Sequence, residues 1–296
     1  MEIIFLGTSG SIPTADRNQS TVLVKSETFD FLMDCGEGTQ RQFKVAGISP
    51  HRLKAVFITH WHADHTLGLP GLLQTLDMAD FKGTFHIFGP EGTELHLKAL
   101  QYGFHLKPSF VLEIHEIKKA QVVEFNGLTI SIEYLDHRVP CIGYRVKEPD
   151  KRRMNMAFMK KQNIPEGPIW GKLQDGKSVT YKGKKISAKD ATTIHPGAEL
   201  AYVTDTLPCA AALRLAKNVP MFICEATFGS ELAAKAKEFK HMTGADAGSL
   251  AKKAKAESLV LTHFSQRYKR VEPIVKEAKA VFSNTQAAHD FLKLKI

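Results

Sequence analysis

The 296-residue chain is 43% apolar and carries a formal net charge of +9, so it suits one large domain or two moderate ones with a sizeable core. Its four cysteines (Cys35, Cys141, Cys209 and Cys224) lie far apart with no CxxC pair, which argues against a disulfide framework or a cysteine zinc site and fits a reducing cytosol. No basic leader precedes the strand-like Ile3-Ile4-Phe5-Leu6, and no apolar run approaches the ~20 residues a membrane span needs, so a cytoplasmic protein is expected.

The N-terminal region alternates short apolar runs with turns. Residues 3–6, 21–24 and 29–33 read as strands, with Gly7-Thr8-Ser9-Gly10-Ser11 between the first two. That glycine loop reads either as a tight turn or as the lining of a phosphate-bearing cleft. Asp34-Cys35-Gly36-Glu37-Gly38 leads into a helix over 39–46, and Asp34 reads either as a partner for a metal-bound histidine or as that helix's cap. A strand over 55–58 then runs into His60-Trp61-His62-Ala63-Asp64-His65.

A helix over 67–79, a strand over 85–88 and a helix over 92–102 follow. Residues 109–117, 121–124 and 128–135 are predicted strands, the last stopping at Asp136-His137. Beyond a basic segment come strands over 201–204 and 220–224, ending at Asp205 and Glu225. The chain closes with helices over 231–241 and 245–256, a strand over 258–261 ending in Thr262-His263, and helices over 271–282 and 285–292. Strand–helix alternation of this kind defines an α/β protein. The repeat of Val-Phe-Ile-Thr-His by Leu-Val-Leu-Thr-His suggests two β-rich halves facing each other with helices outside.

Three imidazoles and a carboxylate within six positions make a dense set of metal ligands. Four apolar runs end in a candidate donor, at His60, His137, Asp205 and His263, and open α/β sheets converge their sites just beyond strand ends. Counting donors gives His60, His62 and His137 to one ion and Asp64, His65 and His263 to a second, with Asp205 as the bridge. Nitrogen and oxygen ligation without thiolate suits Zn²⁺ and admits Mn²⁺ or Fe²⁺. Two such ions would clamp a phosphodiester and acidify a water, leaving a histidine to protonate the departing oxygen. Residues 147–189 hold twelve Lys or Arg against four acids, eight of the nine net positive charges, which points to a polyanionic partner. The remaining histidines (51, 86, 96, 105, 115, 195 and 289) show no partner pattern and are assigned to surface or core.

The run His60-x-His62-x-Asp64-His65, with His137, Asp205 and His263 downstream, resembles the metallo-β-lactamase superfamily. Gly7-Thr8-Ser9-Gly10-Ser11-Ile12-Pro13, Asp34-Cys35-Gly36-Glu37-Gly38, His137-Arg138-Val139-Pro140, Glu225-Ala226-Thr227-Phe228 and His241-Met242-Thr243 are similar to one branch of it, the ribonuclease Z family of tRNA 3′-processing endonucleases, over essentially the whole chain. The resemblance implies an αββα sandwich over 1–296, with a basic RNA-binding arm inserted at 152–185, whose Gly167-Pro168 matches a family hallmark. It implies two zinc ions held by His60, His62, Asp64, His65, His137, Asp205 and His263. Asp64 would also position or deprotonate the attacking water, and His241, oriented by Glu225, would donate the proton. Precursor tRNA would be gripped through Arg152, Arg153, Lys160, Lys161, Gly167, Pro168 and Lys172, in a homodimer where one subunit's arm serves the other's site.

Two positions depart from the family pattern. Cys224 stands where a histidine is frequent, which weakens the relay only if that position tunes Glu225, and Arg138 stands where a small polar residue is frequent. Two other readings compete: a hydrolase of small esters or phosphodiesters on the same scaffold, and a noncatalytic RNA-binding protein. The first leaves the arm's charge unexplained, and the second leaves the complete ligand set unexplained.

Overall fold

The computed structural model describes residues 1–296. Two compact units divide the chain, one formed by 1–146 with 199–296 and the other by 147–198. The larger unit carries two seven-stranded sheets. In the first, the strand order is Lys293–Lys295, Glu2–Gly7, Thr21–Lys25, Asp30–Met33, Leu53–Phe57, Thr84–Pro90 and Val111–Ile117. In the second it is Thr285–Ala287, Ser258–Thr262, Met221–Glu225, Glu199–Val203, Ile142–Lys147, Leu128–Tyr134 and Gln121–Phe125.

Alternation along the strands sorts side chains into three apolar layers. Phe5, Phe31, Phe57 and Phe88 from the first sheet meet Ile130, Tyr144, Tyr202 and Ile223 from the second in a shared core between the sheets. On the outer side of the first sheet, Leu32, Val56 and Ile87 pack under Leu69, Leu72 and Leu73 of helix Gly68–Met78. On the outer side of the second, Phe222, Cys224 and Leu261 pack under Ala247, Leu250 and Ala251 of helix Gly244–Ala254, whose start is fixed by a Thr243–Asp246 capping box. Helix, sheet, sheet, helix is the αββα sandwich expected.

The central strands run parallel. Leu53–Phe57 lies beside Thr84–Pro90, and Glu199–Val203, Met221–Glu225 and Ser258–Thr262 run side by side. Their carboxyl ends therefore open at one rim. Three residues just past strand ends, Asp34, Asp205 and His263, take left-handed backbone at φ 59°, 55° and 58°. That conformation turns each chain sharply and costs a non-glycine residue on the order of 1 kcal/mol or more.

Several elements differ from expectation. The predicted helix over 285–292 is a strand, Thr285–Ala287, paired in parallel with Ser258–Thr262, and left-handed Phe291 (φ 68°) then turns the chain into Lys293–Lys295. Sheet pairing overrides a locally helical composition there. The predicted helix over 231–241 ends at Phe239, because Lys240 is left-handed (φ 58°) and puts His241 on the loop beyond it. Strand Ile142–Lys147 escapes detection because Gly143 and the basic residues dilute its pattern of buried Ile142, Tyr144 and Val146.

The second unit, 147–198, builds its own small core from Met159, Ile164, Leu173, Ile186, Ala188 and Ala191. Strands Lys151–Met154 and Thr192–His195 pair, as do Val179–Tyr181 and Lys184–Ile186. Asn155 caps helix Met156–Lys161 by accepting from the Phe158 N–H, and Pro168 opens helix Pro168–Gln174 at a position needing no donor. This unit is wider at both ends than the 152–185 segment singled out from sequence. No helix of the chain is long and apolar enough to cross a membrane.

Candidate metal centre

The seven donors picked from the sequence converge. His60 Nε2 lies 2.9 Å from His62 Nδ1, and His137 Nε2 lies 3.4 Å from the same atom. His65 Nε2 is 3.2 Å from His263 Nε2, and each is 3.4 Å from Asp64 Oδ2. Asp205 reaches both sets. Its Oδ2 is 3.6 Å from His60 Nε2 and 4.0 Å from His137 Nε2, while its Oδ1 is 3.5 Å from His65 Nε2 and 3.2 Å from His263 Nε2.

The far ring nitrogens are held as well, and this decides which atoms face inward. His65 Nδ1 is 2.8 Å from Asp34 Oδ2, His60 Nδ1 is 3.0 Å from Thr59 Oγ1, His137 Nδ1 is 3.2 Å from the Lys240 carbonyl, and His263 Nδ1 is 2.9 Å from Thr227 Oγ1. In these four rings Nε2 is the nitrogen that meets the other donors, and in His62 it is Nδ1. Tying off one ring nitrogen is how proteins orient a histidine toward a cation. Asp34 also accepts from the Thr59 N–H at 2.7 Å and the Tyr202 hydroxyl at 3.1 Å, so it serves the histidine side of the site, while Gly38 occupies the helix cap.

The electrostatics of His60, His62, His137, Asp64 and Asp205 fit cation binding. Burial pushes the His60, His62 and His137 imidazoles below their ordinary value, which keeps their lone pairs free. Burial also opposes the ionised Asp64 and Asp205, but the surrounding histidines outweigh it and hold both carboxyls well below the usual range. At His65, burial is outweighed by Asp205, Asp64 and Asp34, which raise it. Nitrogen and oxygen donors in two sets sharing one carboxylate suit a pair of divalent ions of the zinc type.

His241 stands beside these donors. Its Nδ1 is 3.1 Å from Glu225 Oε2, and its ring stacks near His263 with centroids 5.6 Å apart. Burial would depress this imidazole, but the Glu225 carboxylate outweighs it and lifts it to about 9. Glu225 is itself pinned by the Thr206 N–H at 2.6 Å, the Met242 N–H at 3.1 Å and the Thr227 hydroxyl at 2.6 Å. Thr227 therefore links Glu225 to His263, a role hidden in sequence because a threonine two residues past a strand end is ordinary. Cys224 points the other way, fully buried among the apolar residues beneath the outer helices, with no hydrogen bond to Glu225. Arg138 braces the end of the helix before His241, its Nη2 donating to the Glu238 carbonyl at 2.6 Å with its guanidinium over the Phe239 ring.

The glycine loop closes one wall. The Ser11 N–H donates to Asp64 Oδ2 at 2.6 Å, and a Cβ on Gly10 would stand 2.6 Å from His263 Cε1. Glycine is needed there for close approach to the ring. The loop is anchored from behind by Asp290, which accepts from the Thr8 hydroxyl at 2.8 Å and the Asn18 N–H at 2.7 Å.

In the second unit, Arg153, Lys160, Lys161 and Lys172 are exposed, whereas Arg152 is half-buried and donates to Thr192 Oγ1 at 3.2 Å. Gly167 lines an open cavity of about 560 Å³ with Arg153, Met154, Glu166 and Trp170.

The sandwich and its rim of donors define a metallo-β-lactamase-fold protein. The metallo-β-lactamase fold protein YhfI of Bacillus subtilis superposes with a TM-score of 0.73 at 20% identity, covering 99% of this chain and 98% of that one. The short form of human tRNase Z superposes with a TM-score of 0.73 at 26% identity over 100% of this chain and 99% of the other. Ribonuclease Z of Methanosarcina acetivorans is 40% identical, across 100% of this chain and 98% of its own length. Residues 1–148 also match the family described as Anti-Pycsar protein Apyc1. The chain belongs to the ribonuclease Z family, enzymes that hydrolyse RNA.

Proposed function

We propose that this protein is the endoribonuclease that removes the 3′ trailer from tRNA precursors, hydrolysing one phosphodiester and leaving a 3′-hydroxyl on the tRNA. The observation that carries the reading is the pair of donor sets joined by Asp205, with the His241–Glu225 pair alongside.

His60, His62 and His137 would hold one ion and Asp64, His65 and His263 the other, with Asp205 shared; zinc suits these donors, and manganese or iron also would. Two such ions, when bound, would supply an acidified water and offset the scissile phosphate's charge. Asp64, whose Oδ2 is fixed by Ser11 N–H, would orient that water. His241 gives a proton to the departing 3′-oxygen. Glu225 holds its Nδ1, which leaves Nε2 to face the substrate. The 147–198 unit contributes Arg153, Lys160, Lys161 and Lys172 to tRNA phosphates, with Gly167 and Pro168 shaping its tip. Phosphate contacts of this kind read a shape and no sequence, which suits substrates as alike in outline as tRNAs. Arg152 belongs more to the unit's own packing than to this grip. The same reading makes the protein a cytoplasmic homodimer, checked by sedimentation.

The test is incubation of the purified protein, with Zn²⁺ or Mn²⁺, with a tRNA precursor carrying a 3′ trailer. A single cut after the unpaired base that follows the acceptor stem is expected. Rapid turnover of a small thioester or lactam with the RNA untouched would overturn the reading in favour of a small-ester hydrolase. Tight tRNA binding without any cut would leave only an RNA-binding protein.

A further inference from the structure

Away from the rim, a second group of donors lies on neighbouring parallel strands of the first sheet. Thr84–Pro90 and Val111–Ile117 pair so that His86 stands opposite Glu113 and Phe88 opposite His115. His86 Nδ1 and His115 Nε2 lie 3.0 Å apart. Glu113 reaches both, with Oε2 3.7 Å from His86 Nδ1 and Oε1 3.6 Å from His115 Nε2. Two nitrogens around one tetrahedral zinc ion stand roughly 3.3 Å apart, given Zn–N bonds of about 2.0–2.1 Å. The spacing seen here needs only small side-chain adjustment to admit one.

The rings are held in place before any ion arrives. His115 stacks on Phe88 at 4.1 Å with 9° between the planes, and Phe125 meets His86 edge-on at 4.8 Å. Burial keeps both imidazoles below their ordinary value, so both are neutral ligands at pH 7. The side chains remain reachable: His86 is 17% exposed, His115 29% and Glu113 54%. An open cavity of about 470 Å³ beside His115, lined by Phe88, Gln121, Val123 and Phe125, leaves room for water to complete the coordination.

We propose that His86, His115 and Glu113 form a separate site for one divalent cation of the zinc class, with solvent in the remaining positions. Val111–Ile117 is the outermost strand of its sheet, so the ion would staple that strand to its neighbour, and edge strands are the sheet positions most in need of such fixing. The proposal is independent of how many ions the rim centre holds, because its test is a difference between variants.

Wild type, His115→Gln and Glu113→Gln are dialysed to equilibrium against buffered micromolar free Zn²⁺, and bound zinc is counted per chain, with near-ultraviolet circular dichroism as the check on folding. His115→Gln should bind one ion fewer than wild type. Glu113→Gln should bind its last ion on the order of tenfold more weakly or worse. Both should cleave RNA at the wild-type rate, since neither residue touches the rim centre. An equal zinc count in folded His115→Gln, or unchanged affinity in Glu113→Gln, would overturn the site and leave a plain imidazole–imidazole hydrogen bond. Should His115→Gln fail to fold, Glu113→Gln decides alone, because its half-exposed carboxylate carries no core packing.

Discussion

The rim of the sandwich and the 147–198 unit handle charge in opposite ways. At the rim, four of the clustered histidines have their second ring nitrogen tied to a named partner, and both Asp64 and Glu225 are fixed by backbone N–H groups. In the 147–198 unit, Lys160, Lys161 and Lys172 project from short helices into solvent, and only the apolar side of those helices is fixed. Chemistry on one bond demands placement within fractions of an ångström, and the protein supplies it by burying polar groups that are already paired. Holding a polyanion demands only charge density, which flexible side chains provide at little cost in stability.

That contrast is sharpest at Asp205, the residue shared by both donor sets. Asp205→Ala should lower cleavage by at least about 10³-fold and reduce bound metal, while tRNA affinity persists; a variant still cleaving within tenfold of wild type would break the contrast. His241→Ala should cost about 10²–10³-fold in kcat with KM little changed, as expected for a lost proton donor, and a substrate with a better leaving group should recover much of the loss. Combined alanine substitution of Arg153, Lys160, Lys161 and Lys172 should act the other way. KM for precursor tRNA should rise roughly ten- to a hundredfold and the salt dependence of binding flatten, with hydrolysis of a small phosphodiester unchanged. Loss of both activities would mean that the unit does more than bind.

The smallest effect concerns Asp290 behind the glycine loop. Burial lifts its carboxyl to about 6, above the usual unfolded value near 3.9. The folded state therefore holds this proton more tightly than the unfolded chain does. The group's contribution to stability is largest below pH ~4, declines as pH rises to about 6, and is flat beyond. Asp290→Asn removes the slope, so urea unfolding should show the variant gaining on wild type between those pH values and a constant difference above them.

Much of the site is legible in the sequence. Strand-end donors could be read because a strand followed by His or Asp is a local pattern, and the cluster from His60 to His65 concentrates it. The grouping into two sets joined by Asp205 follows from counting donors, and the structure brings those side chains within 4.0 Å of Asp205 or of one another. Partners that act across the fold left no such trace. Thr227 sits between Glu225 and His263 only because two parallel strands end together, and Asp34 meets His65 from 31 positions away. His86 and His115 looked like unrelated histidines because their meeting depends on strand register. The last predicted helix failed for the converse reason, since a three-residue strand owes its existence to a neighbour 26 positions earlier in the chain.

The burial of the cysteines has a practical consequence. Cys35, Cys141 and Cys224 are fully enclosed, and burial pushes all three thiols up, Cys35 to about 12, so almost no thiolate is available to oxidants or alkylating reagents. Cys209 alone is partly open to solvent, and its Sγ lies 3.8 Å from Thr206 Oγ1, the residue whose N–H holds Glu225. The native chain thus comes with one addressable thiol near the His241–Glu225 pair. A fluorophore or spin label attached there would report substrate arrival without any cysteine first being engineered away.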